Sequence, residues 1–220
     1  MAGQTPQQAG GPPLRLPSKL FTPGVITILV LMVIGYTLYC YAKNFTLYYL
    51  LLHPGQLLKG SVWQLLTFSL INSSCTLAFS GLAVLFLGSA IEREWGTRSF
   101  LTLWIVISGV CAIIWSIISL IIGQELIGMG SAPCIYGLIG TFGLVFRRQR
   151  FWFLFCTIEA QHLAFIFVGV GLVLGIAQPI SWIWVAGAGV AYLYIKLRWR
   201  LMRGPSQNTG KKKNSFIDVD

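Results

Sequence analysis

From Phe100 to Ile122 the chain runs FLTLWIVISGVCAIIWSIISLII without one charged side chain. A helix needs roughly 20 residues to cross a hydrocarbon layer of about 30 Å, and it pairs every backbone polar group within itself. This run therefore predicts a membrane span. The rest of the chain agrees: 220 residues, 55% hydrophobic and 10% charged, with mean hydropathy +0.74, against roughly 25% charged residues in an average soluble domain. No stretch remains for a large soluble domain.

Six apolar segments can be drawn: Thr22 to Tyr41, Leu65 to Ile91, Phe100 to Ile122, Ala132 to Phe146, His162 to Ile176 and Ser181 to Lys196. Ala177-Gln-Pro-Ile180 joins the last two tightly, since Pro179 has no N–H and discourages helix before it. The fourth is short for a crossing and calls for shielding by its neighbours. The expected fold class is an all-α, six-helix transmembrane bundle over residues 23–198. Residues 1–22 and 199–220, poor in apolar side chains, are expected to be disordered tails.

Basic residues of short loops stay on the cytoplasmic side. With the N-terminus inside, Arg15, Lys19, Arg93, Arg98, Arg147, Arg148, Arg150, Lys196, Arg198, Arg200, Arg203, Lys211, Lys212 and Lys213 fall inside, and of sixteen basic residues only Lys43 and Lys59 fall outside. Both termini are then cytoplasmic. The net charge of +10 is explained by flanks attracted to anionic lipid head groups, without nucleic acid. The first apolar run is of span length and lacks a small-x-small cleavage pattern, so it is expected to remain in the protein.

Cys40, Cys75, Cys111, Cys134 and Cys156 lie in or beside apolar segments without zinc or redox spacing and read as packing residues. No metal or cofactor site is expected. Asn44-Phe-Thr46 is a glycosylation sequon close to the end of the first span. Glu92, Arg93, Glu94 and Arg98 read as a mixed-charge turn orienting the second and third spans. Glu159 stands at the start of the fifth, near Arg147-Arg-Gln-Arg150. No carboxylate is expected mid-span, which leaves an ion pathway nothing to run on.

The segment from Lys43 to Val62 is neither span nor polar loop: Leu47-Tyr-Tyr-Leu-Leu-Leu52 precedes His53-Pro-Gly55, which suits a stretch lying in the outer membrane interface. Ser61-Val-Trp-Gln-Leu-Leu-Thr-Phe68 follows, and Leu87-Gly-Ser-Ala-Ile-Glu-Arg-Glu-Trp-Gly-Thr-Arg-Ser-Phe100 closes the second span. A third motif, Gly128-Met-Gly-Ser-Ala-Pro-Cys-Ile-Tyr-Gly-Leu-Ile-Gly140, opens the fourth. In their order, these motifs resemble the rhomboid superfamily of intramembrane proteins. Trp63, Leu66 and Thr67 match its first motif, with Gln64 where arginine is usual; Gly88, Glu92 and Gly96 match the second; Gly130, Tyr136, Gly137 and Gly140 match the third. The likeness covers about residues 23–198.

Lipid gives helices no hydrophobic reason to associate, so small residues must let backbones approach. Gly137, Gly140 and Gly143 on the fourth span, and Ala186-Gly-Ala-Gly189 with Ala191 on the sixth, predict close contact between these two.

Active rhomboids cut peptide bonds with a serine on the fourth span and a histidine on the sixth. A neutral hydroxyl attacks poorly until a base within hydrogen-bond reach takes its proton. Aligning Gly130 puts Ala132 at the serine and Pro133 at the following glycine, and proline has no N–H for an oxyanion. Gly187 and Ala191 fit the small positions after the histidine, which puts Trp184 at the base. The two histidines, His53 and His162, lie in the interfacial loop and at the cytoplasmic start of the fifth span. Ser131 is one residue, or about 100° of helix, from the expected place, and is expected to cap the fourth helix instead. Asn72 or Ser80 could serve an oxyanion, but the stretch Asn72-Ser-Ser-Cys-Thr76 holds no histidine.

The resemblance therefore implies a pseudoprotease: an integral membrane protein whose partners are lipids and the transmembrane segments of clients, held without cleavage for retention, quality control or assembly. The second and fifth spans would form the contact region. A structural subunit of a larger membrane complex, and a protease with a non-standard site, are the alternatives.

Overall fold

The structure, a computed structural model, describes residues 21–146, 150–153, 156–177 and 182–202. Helix α1 is Pro23–Tyr41, with Pro23 in the first turn, where a missing N–H costs nothing. The interfacial stretch folds into α2 (Lys43–Phe45), a π-helical turn (Thr46–Leu50) and α3 (Pro54–Leu57). Leu51 and Leu52 between them are buried, so the stretch packs onto the bundle as its apolar composition requires.

The second apolar run departs from the continuous helix expected from Leu65 to Ile91. Helix α4 (Gln64–Thr67) passes into a 3-10 turn (Phe68–Leu70), and Ile71 is extended at φ −94°, ψ 119°. The chain becomes helical again only at α5 (Ser74–Ala83), which continues through a π turn (Val84–Gly88) into α6 (Ser89–Trp95). Asn72-Ser-Ser74 explains the break: short polar side chains compete with helical hydrogen bonding and favour caps and turns.

Helix α7 is Thr97–Ile122. It starts after Gly96 (φ 81°) and stops at Gly123 (φ 70°), left-handed positions that glycine adopts without a Cβ clash. Helices α8 (Ala132–Val145), α9 (Ala160–Ala177) and α10 (Trp182–Met202) follow. The last is helical past the tail boundary expected at residue 198. Residues 1–20 and 203–220, which hold most of both expected tails, lie outside the described residues.

A second departure lies between α8 and α9. The described residues there include a short antiparallel ribbon of β1 (Arg150–Phe153) and β2 (Cys156–Glu159), a local departure within an otherwise helical fold. Aromatic and β-branched side chains favour extended backbone, and Phe151-Trp-Phe153 with Thr157-Ile158 supplies them. Glu159 thus stands in a strand rather than in the fifth span, and the register pairs it with Arg150.

Among the described residues three helical stretches are long and apolar enough to cross a membrane: Pro23–Tyr41, Ser74–Trp95 and Thr97–Ile122. Val33, Phe79 and Ile121 stand exposed on them, as lipid-facing side chains would. Helix α8 is the shielded one: Gly137, Leu138, Ile139, Thr141, Phe142 and Gly143 are all buried.

Candidate functional site

Three residues of the first motif converge on one task. The π turn ends at Leu50, so its last carbonyls lack helical partners. Trp63 Nε1 donates to the carbonyl of Tyr49 at 3.0 Å, and Thr67 Oγ1 to that of Leu50 at 2.8 Å. Gln64, fully buried, accepts His53 N–H at its Oε1 (3.1 Å), while its Nε2 lies 3.1 Å from Gln56 Oε1 and 3.4 Å from the Tyr49 carbonyl. A neutral amide both donates and accepts, so it satisfies this buried cluster without an ion's desolvation cost. A two-way backbone bridge, Leu52 N to Gly128 O at 3.1 Å and Gly128 N to Leu52 O at 2.9 Å, ties the loop to the segment before α8.

The second motif holds a carboxylate that is far from solvated. Glu92 is 3% exposed. Its Oε1 accepts the Gly24 N–H at 2.7 Å and the Thr97 hydroxyl at 2.6 Å, and its Oε2 accepts the Val25 N–H at 2.8 Å and the Thr22 hydroxyl at 2.5 Å. Glu92 therefore caps α1 from 68 residues away in sequence, with a negative charge at the positive end of the helix. Within the expected mixed-charge turn Arg93, Glu94 and Arg98 are exposed, whereas Glu92 is buried, joins α6 to the start of α7 through Thr97 and orients α1 as well. Gly88 is needed for the same packing, since a Cβ there would meet Phe100 Cζ at 3.0 Å and Val25 Cγ2 at 3.1 Å.

At the third motif, Gly130 turns the chain at φ 111°, and its N–H reaches the Phe68 carbonyl at 3.0 Å. Ser131 follows as the N-cap residue of α8, but its side chain makes no capping bond. Its Oγ instead donates to Asn72 Oδ1 at 2.9 Å and lies 2.7 Å from Ser80 Oγ, whose hydroxyl can donate in turn, and its N–H donates to Asn72 Oδ1 at 3.1 Å. Asn72 and Ser131 are shut from solvent and Ser80 nearly so. The expected cap position is right and the expected capping bond is not.

Helices α8 and α10 meet backbone to backbone, as their small residues predict. Gly187 packs directly on the Pro133 carbonyl, a Cβ at Gly137 would lie 3.2 Å from the Gly187 carbonyl oxygen, and one at Gly140 would lie 3.3 Å from Ala188 Cβ. Ala191 is fully buried. One turn beyond Ala132, Tyr136 faces Trp184 with ring centroids 6.3 Å apart, and it also packs on Gly171 of α9.

The imidazoles stand elsewhere. His53 Nδ1 lies 3.3 Å from the Leu51 carbonyl. His162 is exposed in the first turn of α9, nine residues before Gly171, while Ser131 lies five residues before Tyr136 on the antiparallel α8. At 1.5 Å per residue this sets His162 about 20 Å from Ser131 along the bundle. Among the described residues no three His, Cys, Asp or Glu side chains gather as a metal site would require. Cys111 and Cys134 are buried as packing residues would be, whereas Cys40 and Cys75 are exposed; the Cys156 side chain lies outside the described residues. Of the basic residues, Arg147, Arg148, Lys211, Lys212 and Lys213 lie outside the described residues, and Arg150 is described by its strand position. Arg198 stacks over Trp95 at 4.9 Å, joining the far end of α10 to α6.

No curated protein matches the chain. A family model described as "Eukaryotic integral membrane protein (DUF1751)" matches residues 26–216, which takes in all the helices from α1 to α10 save the first turn of α1. The match joins the apolar helices in marking a multi-pass integral membrane protein, and the chain belongs to the DUF1751 family of eukaryotic integral membrane proteins.

Proposed function

We propose that this is an inactive rhomboid-like protein that holds transmembrane segments of partner proteins without cleaving them. The observation that carries the reading is the state of the fourth-helix start. Ser131 Oγ is enclosed between Asn72 and Ser80, Ala132 and Pro133 stand where the rhomboid pattern has serine and glycine, and Trp184 rather than an imidazole faces Tyr136. A hydroxyl without a base does not become a nucleophile, and the proline cannot donate to an oxyanion.

The proposal includes six spans with both termini cytoplasmic. Glu92 gathers the start of α1 with the turn between α6 and α7, and Arg198 on Trp95 brings the end of α10 to the same level. These contacts support a common side for both ends. Partner segments would lie on the apolar faces of α5 and α9, where Phe79 is 77% exposed and Phe165 is 66% exposed. In lipid a partner helix is held by close packing rather than by apolar burial, and the uncovered faces of α5 and α9 are where such packing is open.

A cleavage assay tests the inactivity. The purified chain, reconstituted with single-span reporter proteins, is expected to leave them intact, and Ser131→Ala is expected to change nothing. Cleavage by the wild-type chain that disappears in Ser131→Ala contradicts it. The structural-subunit reading would instead give stoichiometric co-purification in mild detergent with a fixed set of subunits.

A further inference from the structure

Hydroxyls inside the long helices of this chain have a ready partner. Thr27, Thr37, Thr102 and Ser116 each donate to the carbonyl four residues earlier, at 2.8 to 2.9 Å, a bond that helix geometry always keeps within reach. Thr141 of α8 has the Gly137 carbonyl at the same spacing and does not take it: its Oγ1 is shut from solvent and bonds to no protein group. Its hydroxyl is therefore turned elsewhere. The indoles show a similar contrast. Trp63 Nε1 reaches the Tyr49 carbonyl at 3.0 Å and Trp115 Nε1 the Leu126 carbonyl at 2.8 Å. Trp104 Nε1, on a side chain only 5% exposed, has no protein acceptor.

The two orphaned groups belong to one seam. Helices α7 and α8 run antiparallel across the loop between them, and Gly137 packs on Ile107, whose Cγ2 would lie 3.2 Å from a Cβ there. One turn toward the loop, this register brings Cys111 close to Cys134, both fully buried. One turn away from the loop, three residues back along α7 and four on along α8, it brings Trp104 to the level of Thr141 within about 2 Å of helix rise. Thr141 is ten residues beyond Ser131, about 15 Å along α8, so this part of the seam is separate from the candidate site.

We propose that Trp104 and Thr141 hold one water molecule between α7 and α8, the indole N–H donating to it and the Thr141 hydroxyl making the second bond. A buried N–H or hydroxyl without a partner forfeits the bond it makes in water, and the interior of a bundle in lipid offers no bulk solvent to restore it. A water stays in a protein interior when it has about two to four polar partners. Here a pure donor stands at the level of a group that both donates and accepts, and water complements both. An indole N–H repels a cation, and neither residue carries the charge that an anion needs. The water thus joins α7 to α8 by hydrogen bonds where lipid gives the two helices no apolar reason to associate.

Magnetic resonance of the full chain in micelles, with its tryptophans isotope-labelled at the indole nitrogen, tests the site. Trp104→Phe identifies the Trp104 signal by its loss. In the wild type, cross-relaxation between that indole proton and water is expected to be several-fold stronger than at Trp115, an indole equally buried but bonded to a carbonyl. Thr141→Val, which keeps the shape and deletes the hydroxyl, is expected to bring it down to the Trp115 level, and Thr141→Ser to retain it. Absence of the water signal in the wild type overturns the proposal, as does a signal that Thr141→Val leaves unchanged, since the water is then not shared. The wild-type measurement does not depend on Thr141→Val folding, and Thr141→Ala gives the same comparison. Infrared difference spectra between the wild type and either variant separate a water from a direct bond. An O–H band that shifts in heavy-oxygen water is expected, because the threonine oxygen does not exchange. A band indifferent to that isotope means that the indole bonds the hydroxyl directly, and it contradicts the water.

Discussion

Glu92 and Gly24, 68 residues apart, meet at 2.7 Å, carboxylate to backbone N–H. The end of one span thereby supplies the cap that another cannot make for itself, since Thr22 offers α1 no side-chain capping bond of its own. Replacing Glu92 by alanine leaves two helix N–H groups and the hydroxyls of Thr22 and Thr97 without their acceptor. A buried group that loses a charged partner costs about 1.5–3 kcal/mol. Glu92→Ala is expected to lose at least that much, and Glu92→Gln less, because the amide oxygen still accepts one side of the network. Unfolding in mixed micelles measures both.

The glycines of α10 give a paired prediction. Gly187→Ala puts a methyl into the Pro133 carbonyl, so α8 and α10 must separate. Gly189, two residues on, has nothing within 4 Å of a Cβ. Overpacking costs about 1–3 kcal/mol and an open position under about 0.5 kcal/mol, so Gly187→Ala is expected to lower the melting temperature in detergent and Gly189→Ala to leave it unchanged.

Gln64 predicts a local effect. Gln64→Ala removes an acceptor from His53 N–H and a donor from the Tyr49 carbonyl and Gln56. Hydrogen exchange is expected to speed up at amides of Leu51 to Leu57 while those of α7 keep their protection. Gly130 predicts a different local cost: at φ 111° a side chain is strained by about 1–2 kcal/mol, so Gly130→Ala is expected to be destabilising although the space around it is open.

These cases show how much could be read from residue order. Charge-free length revealed α1 and α7, and small residues on two helices revealed the contact of Gly137 and Gly140 with Gly187 and Ala188, because both signals are local in sequence. The cap by Glu92 left no local trace: its partners Gly24 and Val25 offer backbone N–H groups that any residue carries. The break at Ile71 was written in Asn72-Ser-Ser74, three cap-forming residues in a row, but an apolar window that runs from Leu65 to Ile91 averages over them. The ribbon was hidden for a related reason, since Phe151 to Ile158 is too short and too aromatic to separate helix from strand by periodicity. At the candidate site, Ala132, Pro133 and Trp184 were read from the pattern alone, whereas the sharing of Ser131 between Asn72 and Ser80 depended on where the broken helix set Asn72.

Site-specific photocrosslinking tests the central proposal most directly. Probes replacing Phe79 on α5 and Phe165 on α9, in native membranes, are expected to trap discrete membrane proteins at their full, uncut length, while a probe replacing Ile121 on the outward face of α7 traps lipid. Lipid adducts alone at all three positions, or partners recovered as fragments cut within their spans, would contradict the account.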